Sequence, residues 1–186
     1  MFKDSKPHYL LLDALRGVAA LMVVWYHFFE AFATSPLDQR FNHGYMAVDF
    51  FFILSGFVIG YAYDDRWKRG ELTTRGFFKR RLIRLHPMVV FGAVIGAITF
   101  LIQGGVQWDG THVEGWKVII ALVCTMLLLP AIPGTAPEVR GNGEMYPLNG
   151  PYWSLFFEYV GNILYALCIR KLSTKIQSFL FYVLFF

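Results

Sequence analysis

A chain of 186 residues that is 56% hydrophobic and only 16% charged, with 19 Phe and 10 Tyr, carries too little charge for a soluble domain of its size. Its net charge of +4 requires no nucleic acid, because positive loops facing the cytosol and its anionic lipids account for it. Apolar segments recur along the whole length, so the expected fold class is all-α, a polytopic transmembrane helix bundle.

The first apolar segment is Leu10–Phe32. Lys3 and Lys6 have the look of a leader's n-region and Ala31-Phe32-Ala33 of a cleavage site. The stretch from Val18 onward is too long and too aromatic for that, and Glu30 stands just before the site, so no cleavage is expected. On an α-helix, Arg16 and His27 fall within roughly 20° of one face and about 16 Å apart along the axis. Asp13 and Glu30 lie on the same side. Asp13, Arg16, His27 and Glu30 therefore form one polar stripe, filled between by small or apolar residues such as Ala20 and Val23. Ionisable groups at membrane depth are costly and normally face a bundle interior or a wet cavity. Two readings stand. Either Asp13 and a snorkelling Arg16 lie at the cytosolic headgroups and Glu30 is already outside, or the stripe lines a polar cavity reaching from the cytosolic side well into the membrane.

The second segment, Tyr45–Tyr63, carries Asp49 inside MAVDFFFILSGFVIG. Beside so many aromatics a carboxylate needs a partner, for which Arg16 or His27 is the candidate, unless Asp49 lies at the outer headgroups. Ser55 and Gly56 make a polar, close-packing point further along. The loop Asp64–His86 holds Arg66, Lys68, Arg69, Arg75, Lys79, Arg80, Arg81 and Arg84 against Asp64, Asp65 and Glu71. It is expected in the cytosol, which puts the N-terminus there too. It ends in FFKRRLIRLHP, where Arg81 and Arg84 share a helical face. Two guanidiniums so placed can grip phosphates bidentately; the positive-inside rule alone is the other reading. Pro87 is expected to open the third segment, Pro87–Gln103, where a missing N–H costs little. Gly92 and Gly96 form a small-xxx-small pair suited to close packing.

The loop Gly104–Gly115 has no Lys or Arg and is expected outside. The fourth segment is Trp116–Ile132. The stretch from Pro133 to Pro151 is rich in Gly and Pro, hence irregular and a candidate cavity lining. The fifth segment, Tyr152–Ile169, opens with NGPYWSLFFEY at 149–159. Tyr152 and Trp153 suit a membrane interface, and Pro151 and Ser154 suit a helix start. Glu158, four residues after Ser154 on the same face, is a functional candidate by depth, or else an interface glutamate in water. Arg170, Lys171 and Lys175 ask for the cytosol, yet counting crossings puts them outside. Either a short third or fourth segment is re-entrant, or the 132–151 loop dips into the membrane. Cys124 and Cys168 lie in apolar segments without CxxC or Cys/His spacing, so they read as small buried hydrophobes, with no metal site. The last eight residues, FLFYVLFF, begin a sixth segment and stop after roughly 12 Å of rise, so the chain is expected to be truncated at its C-terminus.

Together LDALRG, the Arg16–His27 pair, GYMAVDFFFILSGFVIG, RRLIRLHP and NGPYWSLFFE resemble the amino-terminal half of acyltransferase family 3 over roughly residues 10–170. The resemblance implies a single acyltransferase transmembrane domain over residues 1–186, part of a bundle of about ten helices in the inner membrane. It implies an O-acyltransferase that uses acyl-CoA, commonly acetyl-CoA, as donor substrate with no permanently bound cofactor. The acceptor would be a hydroxyl of a carbohydrate, a lipid-linked glycan or another extracytoplasmic molecule; family members modify O-antigen, peptidoglycan, exopolysaccharide, Nod factors or macrolides. His27 and Arg16 match the family's essential pair, Arg81 and Arg84 its Arg-x-x-Arg motif, and Glu158 the acid of its WSLxxE motif. His86 stands where the family often has tyrosine before the proline. The implied roles follow from the side chains. His27 takes the acceptor proton or briefly carries the acyl group. Arg16 orients the thioester or stabilises charge on its oxygen. Arg81 and Arg84 hold CoA phosphates, Glu158 or Asp49 orients His27, and Ser55, Trp153 and Ser154 give support. The competing classes are a small-molecule transporter, which would show paired broken helices in two related halves, and an inactive fragment.

Overall fold

The computed structural model describes residues 9–30, 32, 43–131, 138–141, 143–173, 175–177 and 179. Among the described residues five α-helices follow one another: α1 (Leu10–Glu30), α2 (Met46–Lys68), α3 (Thr74–Ile102), α4 (Gly115–Met126) and α5 (Tyr152–Leu167), with a 3-10 turn at Ile169–Lys171. Among the described residues the only β pairing is an isolated bridge between Val106 and His112. The chain is thus all-α, and α1, α2 and α3 are long and apolar enough to cross a membrane. The sixth segment expected from Ile176 lies mostly outside the described residues. The chain divides into two compact units, residues 1–72 and 73–186.

The first unit pairs α1 with α2. Tyr9 sets its ring edge-on to Phe57 and Tyr61, at 6.0 and 5.3 Å. At the other end Gly44 lies so close to the Tyr26 side chain that no Cβ fits there. Ala19 is the one buried residue of α1, while Leu21, Val24, Trp25 and Phe28 are exposed, as a lipid-facing surface requires. Aspartates and a basic run do not stop α2 at Tyr63, because Asp, Arg and Lys are compatible with a helix in water; it runs to Lys68.

The second unit is organised by α3. The Thr73 hydroxyl accepts from the Gly76 N–H at 3.1 Å and starts the helix in the middle of the basic stretch. The expected cytosolic loop is therefore mostly helix, and only residues 69–73 connect α2 to α3. Pro87 lies inside α3 instead of opening it. Arg, Lys and Leu are good helix formers, so helix propensity overrides the proline at the cost of one backbone hydrogen bond.

A second strand of chain runs antiparallel along α3 for most of its length. Arg140 contacts Phe100 and Gln103, Leu148 abuts Gly96, Asn149 reaches the Gly92 carbonyl, and Tyr152 reaches Met88 and Val89. Further down, Glu158 meets Arg81 and Tyr165 meets Phe77. Positions 77 to 103, α3 and its C-cap, cover about 39 Å of rise, and residues 140–165 lie alongside nearly all of it. The described residues before Tyr152 are irregular, and those from Tyr152 form α5. Leu148 packs on the Gly92/Gly96 face and joins Phe100 and Val139 in one buried cluster. The expected small-residue pair does make a close contact, though with a non-helical segment.

α4 has 12 residues, about 18 Å of rise, too short to span ~30 Å of hydrocarbon. It starts beside Ala97 and Phe100 and ends where Leu128 joins the Val89–Tyr152 cluster, halfway along α3. Leu128 turns the chain with φ 52°, and its carbonyl accepts from the buried Tyr146 hydroxyl at 2.8 Å. The fourth segment is thus too short for a full span, and the fifth ends level with the start of α3. Arg170, Lys171 and Lys175 then lie at the same end of this unit as Arg75, Lys79 and Arg80.

Candidate active site

The stripe on α1 is made of one ion pair and one hydrogen-bonded pair. Arg16 Nη1 donates to Asp13 Oδ1 at 2.8 Å, and His27 Nδ1 lies 2.7 Å from Glu30 Oε2. Both are i,i+3 neighbours, the separation at which helical side chains meet. A carboxylate can only accept, so the proton sits on Nδ1 and the Nε2 lone pair is left for chemistry. His27 and Glu30 side chains are 40% and 53% exposed, so neither is sealed in the protein. Asp13 turns the Arg16 guanidinium toward the N-terminal end of α1, away from His27.

Asp49 is exposed in the first turn of α2 and is not the partner of Arg16 or His27, which take Asp13 and Glu30. Local partners prevail because an i,i+3 pair needs no second helix to be positioned. Ser55 is half-buried on α2.

In the second unit Arg81 is the buried charge. It is 4% exposed, and its Nη2 donates to Glu158 Oε1 at 2.7 Å. Arg84, three residues on, is exposed. The two motif arginines thus differ in environment: one is sealed between α3 and α5, and the other is available to a ligand. Glu158 pairs with Arg81 and His27 with Glu30. Around the pair, the buried Asn162 donates to the Glu158 carbonyl at 2.7 Å. Among the described residues, Arg81 Nε, the Asn162 Oδ1 and the Tyr159 hydroxyl are buried without a hydrogen-bond partner. An inward polar seam of this kind is costly unless it serves a purpose.

Trp153 is 40% exposed and meets Phe157, and the Ser154 hydroxyl donates back to the Pro151 carbonyl at 2.8 Å. Tyr152, expected at an interface, is instead buried, its hydroxyl donating to the carbonyls of Val89 at 2.7 Å and Met88 at 3.2 Å. The signal for this was the empty face of Gly92 and Gly96, which calls for a large partner. Cys124 is half-buried, but Cys168 is exposed at the end of α5, where helix packing has run out. Sequence reasoning passed over Arg140, the lone arginine of the irregular segment. Its guanidinium lies between Phe100 and Trp108 at 4.8 and 5.0 Å, and Nη1 donates to Gln103 Oε1 at 3.1 Å.

Residues 9–186 match the acyltransferase domain family. Over 172 residues the chain is 37% identical to protein 2 in the picA locus of Rhizobium radiobacter, covering 89% of this chain and 85% of that one. It is 29% identical over 179 residues to the acyltransferase MdmB of Streptomyces mycarofaciens, covering 88% of this chain and 41% of the relative. The chain therefore spans most of the first relative and less than half of the second. No solved structure matches.

Proposed function

The chain belongs to the acyltransferase family, a family of acyl-group transferases, and from that premise we propose an integral inner-membrane O-acyltransferase with its N-terminus in the cytosol. The donor is acyl-CoA, in the first instance acetyl-CoA, taken from the cytosolic side. The acceptor is a hydroxyl of a carbohydrate or lipid-linked glycan of the cell envelope, and membrane lipids surround the bundle.

The observation that carries this reading is the 2.7 Å contact between His27 Nδ1 and Glu30 Oε2. It leaves Nε2 as a base. Nε2 takes the proton of the acceptor hydroxyl while its oxygen attacks the thioester carbonyl. The tetrahedral intermediate collapses, the C–S bond breaks, and the proton passes from the imidazolium to the departing thiolate. The products are an ester and free CoA. Glu30 offsets the positive charge that His27 carries between the two transfers.

Arg16 is about 16 Å from His27 along α1 and is drawn the other way by Asp13. That distance is too great for both to act on one carbonyl, so Arg16 is assigned to an anionic part of the donor, with the pantetheine arm lying along the stripe. Arg84 offers the exposed guanidinium for a donor phosphate. Arg81 and Glu158 hold α3 against α5, and Trp153, Ser154, Ser55 and Asp49 are assigned supporting roles.

The test uses membranes containing the full gene product and radiolabelled acetyl-CoA. Label should reach the extractable glycan or lipid fraction with the wild type and not with His27→Ala. Equal labelling by an inserted His27→Ala protein would overturn the assignment of the base.

A further inference from the structure

We propose that Trp108 is a stacking platform for a sugar ring of the acceptor, an inference that rests on the carbohydrate reading above. Trp108 lies at the end of α3 opposite the Arg81–Glu158 pair, where an acceptor arriving from outside would be met.

The ring is held from several directions. The Trp108 backbone N–H donates to the Arg140 carbonyl at 3.1 Å, and the indole N–H donates to Glu144 Oε1 at 3.3 Å. The Arg140 guanidinium lies 5.0 Å from the ring and is itself fixed by Phe100, Gln103 and the Pro147 carbonyl. The chain around Trp108 is a tight turn. Gln107 N–H donates to the Thr111 carbonyl at 2.8 Å, and Asp109 Oδ1 accepts from Thr111 N–H at 2.9 Å. Thr111 holds the Asp109 carboxyl below its usual range, so it stays an anion. Despite all this Trp108 remains 64% exposed.

Fixing a large ring costs side-chain entropy, and leaving it exposed returns little burial. An aromatic that only anchors the chain at a membrane interface needs no such fixing. Trp116 shows the contrast. It is also exposed, but its indole N–H and its ring are held only by Glu114 and Lys117, its neighbours in sequence. A pre-set ring is what a weakly binding, hydroxyl-rich ligand requires, because the ordering cost is met before binding. The C–H face of a pyranose is apolar and weakly positive, and it complements the negative face of an indole. Its hydroxyls would donate to Glu144 and Asp109 at the rim. Those carboxylates favour a neutral sugar over an anionic one.

The full-chain protein in phosphatidylcholine nanodiscs would be titrated with maltohexaose, cellohexaose and tetra-N-acetylchitotetraose, following tryptophan emission and heat. At least one sugar should bind, about tenfold more weakly to Trp108→Leu, while Trp108→Phe stays near wild type. Trp116→Leu should bind as the wild type does. The platform is overturned if none of the sugars binds the wild type, or if Trp108→Leu binds equally well. It is also overturned if brominated phosphatidylcholine quenches Trp108 selectively, which would make it a lipid anchor. The acyl-transfer reading fails separately: Trp108-dependent sugar binding without transfer from acetyl-CoA would leave the platform standing and remove that reading.

Discussion

Arg81 on α3 donates to Glu158 on α5 at 2.7 Å, across 77 residues of chain, and its side chain is 5% exposed against 22% for Glu158. A buried pair of this kind is worth little against an apolar replacement, but breaking it strands a charge. Arg81→Met or Glu158→Leu alone should therefore cost about 3–5 kcal/mol, while the double replacement should recover most of that loss. Denaturant or thermal unfolding in detergent reads the cycle. Additive losses would mean that the two side chains act independently. Arg84→Ala, at an exposed position, should leave unfolding unchanged and raise the KM for acetyl-CoA.

The glycines of α3 and α5 divide by what lies opposite them. A Cβ on Gly96 would run into the backbone carbonyl of Leu148, and one on Gly92 into the end of the Tyr152 side chain. Backbone cannot give way as a side-chain tip can. Gly96→Ala should thus destabilise by about 1–3 kcal/mol, more than Gly92→Ala. Gly161 on α5 has nothing within 4 Å, so Gly161→Ala should gain up to about 1 kcal/mol from helix propensity alone. The same unfolding measurement ranks the three, and a Gly96→Ala protein as stable as wild type would show that the irregular segment is not seated on α3.

The helices were legible in the sequence wherever apolar residues ran unbroken, and so was the stripe on α1, because i,i+3 geometry needs nothing but the helix itself. The pair His27–Glu30 follows from that geometry, whereas the family resemblance points to a longer-range carboxylate, Asp49 or Glu158, for His27. The continuity of α3 from RRLIRLHP into the third apolar segment was hidden because charge and a proline interrupt hydropathy more than they interrupt the helix. The Arg81–Glu158 pair was beyond reach, since it depends on α5 lying antiparallel to α3. So was the irregular segment through Leu148 and Tyr152. Its Gly and Pro residues signalled irregular backbone but not which surface would cover it.

The antiparallel course of residues 140–165 along α3 has a direct consequence for sidedness. Because 140–165 runs antiparallel to α3 over its length, the chain after α5 must emerge at the end where α3 begins. In a background lacking Cys124 and Cys168, single cysteines at Arg75 and Arg170 should be labelled by an impermeant maleimide from the same side. One at Gln107 should be labelled from the other side. If Arg170→Cys and Gln107→Cys reacted from one side, α4 would have to be a full crossing, against its 12-residue length.

The dyad on α1 makes the sharpest functional prediction. Glu30 holds the proton of His27 on Nδ1 and offsets the charge formed when Nε2 takes a second proton. Glu30→Gln preserves size and a hydrogen-bonding oxygen but removes the charge, and its amide N–H₂ can turn to favour the opposite tautomer. Because both groups are at least 40% exposed, neither variant should disturb folding. Transfer should fall about 10²-fold in kcat with Glu30→Gln, with little change in the KM for acetyl-CoA, and further with His27→Ala. Asp13→Asn at the other end of the stripe separates the two roles. It frees Arg16 without touching the base, so it should alter the donor KM and leave kcat close to wild type. A Glu30→Gln protein with wild-type kcat would move the base away from His27, whereas a kcat effect in Asp13→Asn equal to that of Glu30→Gln would mean that the stripe works as one unit.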